Sequence, residues 1–308
     1  MANNEYPIVL AHGIVRFDEL RRPLISTLQV LLADRNLAPD RTHYFRRIRS
    51  FLQKHQFEVY HSDVSWASDV SIRGQELAQN ISNILDKTGH KKVHIIGHSM
   101  GGLDARYAIV KEGIADKVAS LTTIGTPHLG TPVAIHILDQ GGDFVIEALM
   151  ELFEFDSEGF LTLTPDARVW FNDESREAEA KNDVVYHVYA SSQKKKKILS
   201  LLQHSWQIIH DEEGDNDGLV SVASQLWANE VVAEDGTTKS IHQHSFPVFA
   251  DHLNQLGWWD LNELRDGKWW SRKSLRQRRE YEESIRNVYL QIVRDVSSTS
   301  SSVSEELG

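Results

Sequence analysis

The chain has 308 residues, 41% of them hydrophobic, enough for one large domain with a sizeable core. Its 33 basic and 44 acidic residues leave a formal net charge of −11, which lacks the basic footprint of a nucleic-acid binder and offers no attraction to an anionic membrane surface. With no cysteine there is no disulfide framework, no thiolate nucleophile and no zinc–thiolate site.

No run of 18 apolar residues occurs, so no transmembrane helix is expected. The start, MANNEYPIVL, lacks a basic stretch followed by a long apolar one. Unless a signal has been trimmed, the expectation is a cytoplasmic chain or one exported without a Sec signal. The first strand is Tyr6–Leu10, and Pro23–Leu37 has apolar residues at roughly helical spacing. Phe57–Val64 alternates like a strand, and Gln75–Asp86 puts Leu77, Ile81, Ile84 and Leu85 on one helical face. Val93–Gly97 is a strand, Gly101–Val110 a helix closed near Gly113, and Val118–Ile124 and Val184–Ser191 are strands. Strands alternating with helices imply a parallel sheet covered by helices, an α/β fold. The Lys194–Lys197 run reads as a solvated loop. The Ser-rich stretch from Ser297 (297–308) has the composition of a disordered tail, leaving 1–296 as one domain.

Gly97-His98-Ser99-Met100-Gly101 has the form G-x-S-x-G, with an apolar strand before it and a helix after it. A serine on so sharp a turn is strained and its hydroxyl is pushed clear of the backbone. The flanking positions are glycine because side chains there would clash. The helix that follows turns its first N–H groups and the positive end of its dipole toward the reacting centre. Ser99 is therefore the candidate nucleophile. It needs a histidine base oriented by a carboxylate, in the chain order Ser, Asp or Glu, His. Fifteen histidines make composition useless for that choice. Position favours Asp217, in an Asn-Asp-Gly turn leading into an apolar run, and His252, just before an apolar stretch.

Together YPIVLAHG, GHSMGG, TIGTPHLG, NDGLV and DHLNQLG resemble the bacterial triacylglycerol lipases of the Pseudomonas–Burkholderia–Proteus group, in the α/β-hydrolase superfamily. The resemblance runs from Tyr6 to about Trp259 and includes LTPDARVWFN. It implies an α/β-hydrolase fold with Asp217 and His252 completing a triad with Ser99. The 35 residues between them exceed the family's usual gap, so VVAEDGTTKSIHQHSF reads as an insertion. His242 and His244 are rival bases, and Asp215 is the rival acid. The resemblance also assigns the oxyanion-hole N–H groups to Met100 and, through LAHGIV, to Ile14, with His12 ordering that loop.

Between Gly130 and Thr164 the α/β rhythm breaks. Asp143, Glu147, Glu151 and Glu154 form one polar stripe on an otherwise apolar helix, and family lipases place a mobile lid here. The expected activity is ester hydrolysis, foremost of acylglycerols, at a lipid–water interface. The alternatives are a phospholipase, a soluble-ester carboxylesterase, or a catalytically silent scaffold that binds a small apolar ligand. No cofactor is expected. Family members usually bind a calcium ion that ties the histidine loop to a segment upstream of the catalytic aspartate, through two aspartates and backbone carbonyls. Here Asn254 and, by pattern, Gln203 stand at the aspartate positions, so calcium is not expected to be needed. Asp211, Glu212, Glu213, Asp215 or Asp260 could supply charge from shifted positions.

Overall fold

The computed structural model describes residues 6–14, 43–65, 68–139, 157–258 and 272–306. Seven strands form one sheet: β1 (Ile8–Ala11), β2 (Val59–His61), β3 (Val93–His98), β4 (Val118–Ile124), β5 (Val185–Ala190), β6 (Glu230–Val232) and β7 (Thr238–Ser245). Their order is β2-β1-β3-β4-β5-β7-β6. All neighbours pair in parallel except the edge pair β6/β7.

A parallel sheet buries both faces, and the central strands β1 and β3 are buried at every residue. Val9, Ile95, Leu121, Val188 and Ile241 point into one core. That core also holds Leu77 and Ile81 of helix α2 (Val70–Thr88) and Ala105 and Ile109 of helix α3 (Met100–Lys111). Ile8, Leu10, Ile96 and Ile124 point into the other core. There they meet Ile48 and Leu52 of α1 (Ile48–Lys54). Ahead of the C-terminal helix lie α4 (Pro132–Asp139), α5 (Ser157–Leu161), α6 (Pro165–Lys181), α7 (Gln203–Glu213) and α8 (Val222–Leu226).

Several elements differ from expectation. Helix α2 begins at Val70, five residues before the expected start, because Asp69 caps it by accepting from the Ser71 and Ile72 N–H groups. The stretch read as an insertion holds β6, β7 and the turn between them. β7 pairs in parallel with β5 from Ile241 to Ser245, and β6 pairs antiparallel with β7, so this stretch forms the two edge-most strands of the sheet at that side. The Ser-rich stretch, disordered by composition, continues helix α9 (Arg272–Glu306). Ile285, Val288, Tyr289, Ile292, Val293 and Val296 bury one face of α9, and adding a residue to a formed helix avoids the cost of nucleation. The helix expected over Pro23–Leu37 and the acidic-striped helix expected within 143–154 lie outside the described residues. Among the described residues, no helix is long and apolar enough to cross a membrane.

Candidate active site

β3 runs into α3 through Ser99, whose φ of 56° and ψ of −132° lie outside the regions side chains favour. Tight packing enforces the turn. A Cβ on Gly97 would sit 2.7 Å from the Gly102 Cα, and one on Gly101 would sit 2.3 Å from the Ala11 carbonyl oxygen. The Ser99 N–H donates to the Ile124 carbonyl (3.0 Å), and the Thr126 hydroxyl donates to the Ser99 carbonyl (2.8 Å). Met100 heads α3, so its N–H belongs to the first turn, which no intrahelical carbonyl reaches. Ile14 is buried in the loop after β1. Gly13 beside it approaches so closely that a Cβ there would be 2.9 Å from the Ser99 Cβ. The loop holding Gly13 and Ile14 and the head of α3 thus both lie against the Ser99 turn.

Asp217 and His252 also meet. The His252 Nδ1–H donates to Asp217 Oδ2 at 2.8 Å, and both side chains are fully buried. The other Asp217 oxygen accepts from the Leu219 (3.0 Å) and Val220 (2.8 Å) N–H groups, as the Asn-Asp-Gly turn permits. The His252 ring lies 4.6 Å from that of His98, the residue before Ser99. Its Nε2 is buried and has no hydrogen-bond partner among the described residues, so a lone pair remains for a hydroxyl proton.

The rivals lie elsewhere. His242 and His244 sit on β7, three strands from β3, where both stack on His187 and His244 also stacks on Tyr189. Asp215 is exposed. His12 orders its loop from within: its Nδ1 lies 2.7 Å from the Gly13 carbonyl, and its own carbonyl accepts from Arg73 at 2.8 Å.

Five residues to which the sequence reading gave no role surround this centre. The Gln255 amide donates to Asp217 Oδ2 at 2.9 Å, and its oxygen faces His98 Nε2 at 3.0 Å. The Tyr44 hydroxyl lies 2.8 Å from His98 Nδ1. Arg73 pairs with Asp104 of α3 at 2.6 Å, with both side chains buried. Burial pushes the Asp104 carboxyl up to about 6, although Arg73 pulls it down. Only His98 carried a signal, as the variable position of G-x-S-x-G. Gln255 follows His252 by three residues, but nothing in the sequence marks Tyr44 or Arg73 as its companions.

The histidine loop is tied down by hydrogen bonds. Asp251 accepts from the Leu253 (3.0 Å), Asn254 (2.8 Å) and Leu199 (2.9 Å) N–H groups, and burial raises its carboxyl to about 6. Asn254 accepts from the Asp251 N–H and the Tyr281 hydroxyl and donates to the Trp258 carbonyl. From α9, the Tyr289 hydroxyl donates to the Gln255 carbonyl at 3.0 Å, and that of Tyr281 to the Phe249 carbonyl at 2.9 Å. Trp258 packs at the core's edge and donates to the Tyr44 carbonyl. Trp259, expected beside it, lies outside the described residues.

A family profile for the alpha/beta hydrolase fold matches residues 6–158. A triacylglycerol lipase of Pseudarthrobacter phenanthrenivorans is 35% identical over 141 residues, which is 45% of this chain and 38% of that protein. The chain thus spans well under two thirds of that bacterial relative. Triacylglycerol lipase 2 of Saccharomyces cerevisiae is 27% identical over 319 residues, covering 94% of this chain and 90% of the yeast protein. Among solved structures, a metagenomic carboxyl esterase superposes with a TM-score of 0.63 at 15% identity, over 95% of this chain and 76% of its own.

Proposed function

We propose that this chain, a member of the α/β-hydrolase superfamily, is a serine hydrolase that cleaves carboxylic esters. The observation carrying this reading is the 2.8 Å contact from His252 to Asp217, with His252 Nε2, which has no partner among the described residues, buried next to the residue before Ser99. The Ser99 Oγ attacks the ester carbonyl carbon while His252 Nε2 takes its proton. Asp217 holds the Nδ1–H tautomer and offsets the imidazolium charge. The Met100 and Ile14 N–H groups stabilise the oxyanion. His252 returns the proton to the departing alcohol, and water, deprotonated by the same ring, then hydrolyses the acyl-enzyme.

Acylglycerols are the substrate class this reading favours, because both the bacterial and the yeast relatives are named triacylglycerol lipases. Exposed Ile135, Leu161, Val169 and Trp170 on α4, α5 and α6 would suit a lipid–water interface. Nothing in the overall charge invites nucleic acid.

A fluorophosphonate probe and an ester panel test the reading. Ser99→Ala should abolish labelling and lower kcat by on the order of 10⁶. His252→Ala should be comparably severe and Asp217→Ala milder, while His244→Ala should retain activity. If His244→Ala is the dead variant, the base is wrongly assigned. An unlabelled native protein would leave only a silent scaffold. Turnover confined to phospholipids or to soluble esters would move the substrate class.

The reaction proceeds without calcium in this reading. Asn254 offers no charge, and its carbonyl oxygen already accepts the Asp251 N–H within its own loop and lies 3.3 Å from the Tyr281 hydroxyl of α9. Gln203, at the other expected ligand position, donates its amide to the Ile198 carbonyl. The Asp251 bond to the Leu199 N–H joins the histidine loop to a segment upstream of Asp217 without an ion. Activity and melting temperature should be the same in excess EDTA and in millimolar calcium. A loss in EDTA restored by calcium and not by magnesium would overturn this.

A further inference from the structure

One chain of hydrogen bonds near the site has no role in the reaction just described. The Asp217 Oδ2 that accepts the His252 Nδ1–H also accepts from Gln255 Nε2 at 2.9 Å. With its amide nitrogen committed to a carboxylate, Gln255 turns its oxygen to His98 Nε2, 3.0 Å away. That nitrogen must therefore carry the ring proton. His98 Nδ1 is then an acceptor, and the Tyr44 hydroxyl 2.8 Å away must donate to it. The Tyr44 oxygen in turn accepts the Gly13 N–H. Each link fixes the direction of the next, and none can reverse without setting Gln255's oxygen against Asp217's. Tyr44, His98 and Gln255 are all buried, so water does not break the chain. Burial also holds His98 well below its ordinary range, in keeping with the single-proton ring the chain requires.

We propose that Tyr44, His98 and Gln255 are positioning residues of the ester hydrolase. They form a hydrogen-bond wire of fixed polarity that joins the oxyanion loop at Gly13 to the triad acid Asp217 and sets how strongly Asp217 attracts the His252 proton. The proposal rests on reading Asp217 and His252 as acid and base. Gly125 leaves the room the wire needs: a Cβ there would lie 2.4 Å from the Gln255 oxygen and 3.2 Å from Asp217 Oδ2. Hydrogen bonds in such a chain polarise one another, so loss of the Tyr44 hydroxyl weakens the Gln255 donation two links away. With less donation, Asp217 Oδ2 holds more negative charge toward His252. The imidazolium is favoured, and the base is lost at higher pH.

The test uses Gln255→Met, which keeps length and shape, Tyr44→Phe and the double variant, each normalised by fluorophosphonate titration. With a soluble p-nitrophenyl ester, kcat should fall roughly tenfold in Gln255→Met, for the loss of one hydrogen bond to a charged group, with KM little changed. The acidic limb of kcat/KM, which reports the free base, should move up by roughly one pH unit in Gln255→Met. In Tyr44→Phe it should move the same way by less. The double variant should be no worse than Gln255→Met, since a wire cut twice is still one wire. A limb that stays in place in either single variant, or effects that multiply in the double, would overturn the wire. If Gln255→Met does not fold, the Tyr44→Phe limb decides alone. An active His252→Ala would sink the triad reading instead, whereas a dead His252→Ala with an unmoved limb sinks only the wire.

Discussion

Ser99 sits where three backbones crowd together, and the glycines around it differ in what they tolerate. Gly101 faces the Ala11 and His12 carbonyls, and a Cβ there would come within 2.3 Å and 2.7 Å of them. Neither is a flexible side chain, so β1 and the loop after it would have to retreat from the turn. Gly101→Ala should therefore cost about 1–3 kcal/mol of stability. It should also cost roughly 100-fold in kcat, the scale of a 1 Å misplacement, as read by urea unfolding and steady-state kinetics. Gly113 supplies the control. Its φ is +67°, but nothing lies within 4 Å of an added Cβ. Gly113→Ala should cost about 1–2 kcal/mol, from left-handed strain alone, with kcat unchanged. Equal kcat losses in the two variants would contradict the crowding argument. This part of the site was legible in the sequence because strand, nucleophile and helix are contiguous there. Tyr44 and Gln255 were not, since 211 residues separate them and only the folded sheet brings them together.

Three elements meet at Arg73. From α2 it reaches Asp104 on α3 through two nitrogens, at 2.9 Å and 2.6 Å, and it donates to the carbonyls of His12 and Ser65. One buried side chain thus bridges the two helices and the loop after β1. Arg73→Met should leave Asp104 buried without its counter-ion and cost about 3–5 kcal/mol, read as a shift in the urea midpoint. Adding Asp104→Leu should recover much of that loss, because an apolar pair does not carry the desolvation cost. No recovery would place the cost in the His12 and Ser65 contacts instead. The helices themselves were readable from apolar periodicity, but a buried arginine looks like any polar residue on a helix face. β7 was missed for the converse reason. Its TKSIHQHS reads as polar because only Ile241 is buried, and its pairing with β5 rests on backbone hydrogen bonds that carry no side-chain signature.

The whole molecule carries an unusual number of buried histidines. Burial above all holds His43, His94 and His187 at about 4, and His61, His98 and His128 well below the ordinary 6.5, with nearby histidines or arginines adding to the shift in all but His94. His244 is lowered as well. A depressed histidine binds fewer protons folded than unfolded. Its contribution is whole above pH 6.5 and is lost as pH falls toward 4, at about 3 kcal/mol for a shift from 6.5 to 4. Asp104 and Asp251, raised to about 6, work the other way and regain stability as pH falls through 6. Two carboxyls oppose seven imidazoles, so the histidines prevail. The urea midpoint should be highest above pH 6.5 and drop steadily between 6.5 and 4. A midpoint at pH 4.5 equal to that at pH 7 would refute the assignment.

The clasp of α9 on the histidine loop also gives the site a birth order. A chain grows from its N-terminus, so the strained Ser99 turn leaves the ribosome well before Tyr281 and Tyr289, which hold the loop carrying His252. At roughly 5–20 residues per second, that interval is on the order of ten seconds or more. Throughout it the nascent polypeptide would hold an exposed serine with no base beside it, and such a hydroxyl is inert toward esters. Until α9 docks, nothing clasps the loop that carries His252, and on the reading proposed above the site stays silent until the last helix is made.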